Sequence, residues 1–212
     1  MPAWPRSSRV LACLVAWLLI IALPGTLPAE MQRWEIVPGK SRVSFETSNT
    51  WSTIVGTSES PMGQVELDVA DLKQPAKGTV TVTVNTLRSW RGSWNKDIWK
   101  ALDAPHHPEI SYRIERVESS FPSLTENVDV TLSIHGVLTI RGVERSASFM
   151  SRLRQRQGTL WARGETYLRA SDFDVPPIRS FLFYDTKDRI VASFDLILNR
   201  GQAQAPAQAP TK

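Results

Sequence analysis

The sequence predicts an all-β protein, an antiparallel β-barrel of about eight strands with one short helix. Apolar and polar residues alternate with period two along most of the chain, the signature of half-buried strands. Turn formers are plentiful, with 14 Pro and 11 Gly among 212 residues, which disfavours a helical bundle. Helical spacing occurs in one place only. An antiparallel sheet with a continuous apolar face closes most economically on itself, since closure removes its exposed edges.

The chain opens on a leader. Arg6 and Arg9 precede an unbroken apolar run over residues 10–23, followed by Pro24, Gly25 and small residues up to Ala29. A charged start, an apolar middle and a small-residue exit describe a secretory signal peptide spanning 1–29 and cut after Ala29. At 14 residues the run is short for a bilayer span, which needs about 20, so a cleaved leader is expected, with an uncleaved anchor as the alternative. Although Val10-Leu11-Ala12-Cys13 resembles a lipoprotein box, no apolar segment precedes its cysteine, which argues against lipidation. Removal of the leader takes away two of the 25 basic residues and none of the 21 acidic ones, so the net charge falls from +4 to +2. The single cysteine leaves too, and with it any disulfide or multi-cysteine metal site. Export implies a periplasmic protein and excludes nucleic acid as a partner.

Strands follow in order, within one domain over 30–200. Weak alternation marks 34–37 and 43–47. Val65, Leu67 and Val69 form one apolar face, and Val80, Val82 and Val84 another. Helical spacing then takes over at 94–102, where Trp94, Ile98, Trp99, Ala101 and Leu102 recur on one side, with Ser93 as the expected N-cap and Pro105 beyond the end. Ile110, Tyr112 and Ile114 resume the two-residue period. The longest stretch puts Val128, Val130, Leu132, Ile134, Gly136, Leu138 and Ile140 on one face, with a bend expected at Gly136. Further strands are expected at 147–153, 160–168 and 190–198. The Gln/Ala/Pro tail over 201–212 has no apolar period and reads as disordered.

A barrel of this size either fills with its own side chains or holds one small ligand. With Arg163, Glu165 and Arg169 facing water, Ala162, Gly164 and Thr166 face inward, and Gly136 and Ala147 add small inward positions. Small residues on several strands leave space for a long apolar cavity, unless aromatic side chains from the opposite wall fill it. Catalytic chemistry has little support. His106 and His107 are adjacent, so they point apart; His135 lies on a polar strand face; and no metal, nucleophile or nucleotide motif is present. No catalytic residue, metal ligand or cofactor is therefore assigned. Arg152, Arg154 and Arg156 share one strand face, an exposed basic stripe suited either to anionic lipid headgroups or simply to a solvated face.

Several blocks resemble the YceI-like family. They are Asn95-Lys96-Asp97, Leu102-Asp103-Ala104-Pro105, and His107-Pro108-Glu109-Ile110-Ser111-Tyr112-Arg113, then Gly136-Val137-Leu138-Thr139-Ile140-Arg141-Gly142-Val143. Ser41-Arg42-Val43-Ser44-Phe45-Glu46 near the start and Arg169-Ala170-Ser171-Asp172-Phe173-Asp174-Val175 near the end match in the same order. The resemblance implies a lipocalin-like barrel with a long apolar tunnel for a polyisoprenoid or similar amphiphile. Two departures stand out: Asp174 replaces the glycine usual after that phenylalanine, and the following segment, 176–184, is unusually aromatic.

Together these readings give an expected carrier that sequesters a long-chain isoprenoid, an isoprenoid quinone or a similar lipid without chemistry. The expected wall comprises Val65, Leu67, Val82, Val84, Tyr112, Ile114, Leu132, Ile134, Leu138, Phe149, Gly164, Phe194 and Leu196, with Trp94, Ile98 and Trp99 of the helix lining or capping it. Enlarging Gly164 is expected to displace the ligand. The alternative is a packed barrel acting through its loops and arginine stripe at a partner or an anionic membrane surface. The oligomeric state, homodimer included, is left open.

Overall fold

Alternating side chains bury one face of each strand, and the computed structural model closes those faces into a barrel. It describes residues 31–49, 52–178 and 186–201. The leader, residues 179–185 of the aromatic segment and the tail from residue 202 lie outside the described residues.

Ten strands run β1 Gln32–Ile36, β2 Arg42–Ser48, β3 Thr53–Ser58, β4 Met62–Leu67, β5 Lys77–Thr83, β6 Glu109–Ser119, β7 Asp129–Ile140, β8 Val143–Arg156, β9 Thr159–Arg169 and β10 Arg189–Arg200. The sheet order is β1-β4-β5-β6-β7-β8-β9-β10-β2-β3, and β1 pairs back onto β10 to close the ring. All ladders are antiparallel. Ten strands make eight staves because two are interrupted. β1 and β2 lie end to end along the same edge of β10, opposite its residues 198–200 and 191–195 respectively. Between them Val37 N–H donates to Ile197 O (2.9 Å), and Ile197 N–H donates to the Ser41 hydroxyl (3.0 Å). On the other side β1 pairs with β4 and β2 with β3, so β3 and β4 form the second broken stave.

The β7–β8 and β8–β9 hairpins turn on Arg141-Gly142 and Gln157-Gly158, with φ of 52° and 74°, and 49° and 72°. Two consecutive left-handed residues give the type I′ geometry that matches strand twist. β6 carries a bulge between Ile114 and Arg116, opposite Gly136 and His135, which places the expected irregularity across the pair rather than in β7 alone.

The helix α1, Gly92–Ala101, starts earlier than its apolar spacing suggests. Ser93 lies inside the first turn and Arg91 holds the cap position without a side-chain bond. The approach is fixed instead by Asn95, whose Oδ1 accepts from Ser89 N–H at 2.7 Å, and by Trp99 Nε1–H, which donates to Leu87 O at 3.0 Å.

Two apolar clusters divide the interior. We call the upper end the one at which β5, β7 and β9 finish and β6, β8 and β10 begin. The lower cluster includes Trp34, Leu67, Leu72, Val130, Leu132, Leu153, Leu160 and Leu196, all nearly inaccessible. Two connections fold inward to seal that end: Leu72 N–H donates to Pro122 O (2.7 Å) and Leu124 N–H to Val69 O (2.8 Å). The upper cluster joins Val82, Ile98, Leu138, Ile140, Phe149 and Phe173 beneath α1 and the 3₁₀ turn Ala170–Phe173. β8 and β9 pair only from Met150 and Glu165 down to their turn. Above that point residues 143–149 and 166–169 part, and the 3₁₀ turn packs against both strands.

Candidate functional site

The upper half encloses an apolar cavity of about 170 Å³. Its walls come from alternate residues of the strands, which is what period-two patterning dictates. Val82, Ile110, Tyr112, Ile114, Ile134, Leu138 and Ile140 form one side; Val43, Phe45, Phe149, Ile190, Ala192 and Phe194 form the other. Ile98 and Ala101 of α1, its C-cap Leu102, Val175 and Ile178 roof it, and Phe173 closes the side between β8 and β9. Polar groups are few: Ser44, Thr47, Thr186, Lys187 and Ser193 border it. The Tyr112 hydroxyl is spoken for, because it donates between the carbonyls of Ile134 (3.1 Å) and Ala147 (3.0 Å). Its burial pushes the phenol pKa well up, which keeps it neutral.

An aromatic tier marks the floor. Tyr112 and Phe149 meet edge to face with ring centroids 5.0 Å apart, and Phe149 and Phe194 are tilted at 5.5 Å. This tier explains where the small inward residues went. Ala162, Gly164 and Thr166 do face inward, but Phe194 covers Gly164. A Cβ built there would meet Ser151 Oγ at 2.5 Å and the Phe194 ring at 2.7–2.8 Å. At Gly136 a Cβ would fall first on the backbone carbonyl oxygen of Arg113 and then on Tyr112, whose Cζ would lie 3.0 Å away. Glycine lets a neighbouring ring lie flat over the strand, so these positions are filled from the adjacent staves.

Eight expected wall residues border the cavity: Val82, Ile98, Tyr112, Ile114, Ile134, Leu138, Phe149 and Phe194. Val65, Leu67, Leu132 and Leu196 do not, because they belong to the lower cluster beneath the aromatic tier. Val84, Trp94 and Trp99 pack around α1 without lining the space, and Gly164 is covered as described. Sequence reasoning missed Val43, Phe45, Ile110, Ile140, Ile190 and Ala192. All sit on the apolar face of an expected strand, and their height in the barrel decides their role. The aromatic segment beyond Ile178 falls largely outside the described residues.

One member of the arginine stripe, Arg154, is paired with a carboxylate, whereas Arg152 and Arg156 have none within ion-pairing distance among the described residues. Arg154 forms a two-pronged pair with Asp129 at 2.6 and 2.8 Å, which holds the Asp129 carboxyl below its ordinary value. Arg163 pairs with Asp195 alongside. Two further cations without a carboxylate partner among the described residues lie beside α1. Arg91 lies over Trp90 (4.4 Å) and Trp94 (5.0 Å), and Arg88 over Trp99 (4.5 Å), with Trp90 71% exposed. Among the described residues no group of His, Cys, Asp and Glu is placed to hold a metal.

The comparison that decides the family is a match of the YceI-like domain over residues 34–196, nearly the whole barrel. The chain belongs to the YceI-like family. Among solved structures it resembles BcnA of Burkholderia cenocepacia, with 18% identity, a TM-score of 0.64, and coverage of 76% of this chain and 98% of that one. A polyisoprenoid binding domain from Saccharophagus degradans, implicated in plant cell wall breakdown, matches at 10% identity and TM-score 0.64, covering 81% and 100%. The Campylobacter jejuni YCEI protein matches at 13% identity and TM-score 0.56, covering 69% and 85%. At these identities the likeness is one of fold. No curated protein matches the sequence. Within this YceI-like barrel the cavity occupies the upper half only.

Proposed function

We propose that this YceI-like protein is an exported binding protein that shields the apolar tail of an isoprenoid or similar amphiphile in the upper half of its barrel. Burial, not bond chemistry, is its mechanism. The observation that carries the reading is the cavity of about 170 Å³ with an almost wholly apolar lining. The Saccharophagus degradans domain of the same fold, described as polyisoprenoid binding, supports the ligand class. Few polar groups border the cavity, and Thr47 among them is engaged with the carbonyls of Lys187 (3.2 Å) and Arg189 (3.3 Å), so the reading includes no catalytic step.

Magnitude sharpens the proposal. An engineered apolar cavity of about 150 Å³ takes up benzene, so this space as it stands suits a ring or a short chain segment. A longer tail requires the roof to move outward. Each CH₂ withdrawn from water contributes roughly 0.8 kcal/mol, so a few isoprene units suffice for firm binding with few polar contacts.

Native mass spectrometry of protein purified without detergent tests this directly. The expected result is an adduct of discrete mass that organic extraction removes. The variant Ala192→Phe, which places a ring in the cavity, should fold normally and lose that adduct. A bare polypeptide from gently handled wild type, together with no uptake of an added isoprenoid, would refute the reading.

A second reading, favoured by the exposed Trp90 and by Arg88 and Arg91, which have no carboxylate partner among the described residues, sets the outer side of α1 against an anionic membrane surface. Tryptophan and arginine are suited to the boundary between headgroups and acyl chains. Cosedimentation with phosphatidylglycerol vesicles that is lost in Trp90→Ala/Arg91→Glu supports it; indifference to that double change removes it.

A further inference from the structure

The parting of β8 and β9 coincides with the height of the cavity, and two side chains alone, Leu168 and Phe173, border both the cavity and a depression on the outer wall. Phe173 is 2% exposed and fills the gap from the 3₁₀ turn, which two polar latches hold in place. On one side Asp188 accepts from Ser171 N–H (2.7 Å) and Ser171 O–H (2.8 Å). On the other, Arg141 Nη1–H donates to Asp174 O (2.8 Å) and Ala101 O (3.1 Å). A wall held by strand ladders would have to break them to admit a ligand. Here the wall is an apolar plug between strands that are already unpaired.

Outside the plug stand Arg145, Arg169 and Arg189, with Tyr167 beneath the Arg189 guanidinium at 4.2 Å. No carboxylate lies within ion-pairing distance of these three guanidinium groups among the described residues. Of the two carboxylates in the depression, Asp188 is engaged chiefly by Ser171 and also feels the charge of Arg169 beyond ion-pairing distance, and Asp172 is exposed.

We propose that the gap between β8 and β9 is the ligand's portal: the tail enters sideways past Phe173, and an anionic head group stays outside on Arg145, Arg169 and Arg189. The assignment rests on the tail-burial reading above and adds the route and the charge of the head. Guanidinium groups free of carboxylates favour phosphate or carboxylate oxygens, which they bind with paired N–H donors.

Two measurements test it. The first compares farnesyl phosphate with farnesol by calorimetry. Wild type should prefer the phosphate, and Arg145→Glu/Arg189→Glu should weaken the phosphate about tenfold while leaving farnesol nearly unchanged. Arg152→Glu, on the distant stripe, should change neither. Binding of both probes without any effect of the charge reversal overturns the head-group site alone, whereas failure of wild type to bind either overturns tail burial.

The second measurement needs no ligand. A reporter cysteine at Ala192, on a Cys13→Ser background, is labelled with an apolar maleimide. Phe173→Ala should speed labelling about tenfold, and the milder Phe173→Leu should speed it detectably, since loosening a buried plug raises the open population. Circular dichroism checks that each variant is folded. If Ile178→Ala opens the cavity and neither Phe173 variant does, entry is through the roof and the lateral portal is wrong.

Discussion

Along a single face of β7, Val130 and Leu132 are locked in solid packing, while Leu138 and Ile140 further up border open space. The residue types are the same, and so are the partner strands β6 and β8. What differs is the closure at each end. The lower end is sealed by chain that folds into the barrel, with Leu72 and Leu124 tied in by backbone hydrogen bonds and Trp34 filling the middle. At the upper end a helix and a 3₁₀ turn lie across the staves instead. A roof laid over an opening leaves volume beneath it that an inserted plug removes. Hollowness here is a property of the connections, not of the walls.

The largest expected effect breaks this contrast most cleanly. Leu132→Ala, in the solid half, should cost about 3–4 kcal/mol in urea unfolding, because the site cannot collapse around the deletion. Ile190→Ala, on the cavity wall, should cost about 1 kcal/mol, since its side chain already faces unfilled space. Equal losses would mean that the two halves are packed alike.

A middle-sized effect probes the tier between the halves. Gly164→Ala should destabilise by about 1–3 kcal/mol, because its methyl group falls on the Phe194 ring and Ser151. Adding Phe194→Leu should recover part of that loss and lower the floor of the cavity. A neutral Gly164→Ala would show that the ring is free to move.

The smallest effect is read against pH. Tyr112→Phe should cost about 1 kcal/mol near neutrality, the usual net worth of one hydrogen bond. Burial raises the Tyr112 phenol pKa, so the folded state holds that proton more tightly than the unfolded chain does. Its contribution is therefore complete below the unfolded value of about 10 and declines as pH rises beyond it. Unfolding midpoints of wild type and Tyr112→Phe followed from neutral to alkaline pH should converge above that value; parallel curves would contradict the burial of the phenol.

Much of the fold was legible in the sequence, because period-two alternation survives in every long strand and the one helical stretch is short. Even the inward orientation of Ala162 and Gly164 could be read. The height of each residue in the barrel could not, since alternation tells which face a residue takes and nothing about which end closes by insertion. That is why Leu67 and Leu196 seemed as good a wall as Ile134. Nor could alternation show that Phe194 lies directly across from Gly164, which depends on register. The breaks in two staves stayed hidden as well, because residues 37–41 look like any loop between separate strands. The pairing of Arg154 within the arginine stripe was out of reach for a related reason: Asp129 comes from the neighbouring strand and meets it only in the folded sheet.

The ring is closed by Ser41 and Ile197, 156 residues apart, whereas β7, β8 and β9 are joined by two-residue turns. Contacts between near neighbours form early and cheaply in chain entropy, and those spanning most of the chain come late. The meander can thus assemble while the protein is still being completed, but the enclosed space comes into being only when β10 meets the first two strands. Nothing can be loaded into a nascent or truncated chain. A ligand of the kind proposed above would therefore enter only after the last strand is in place, and its occupancy would report on finished molecules alone.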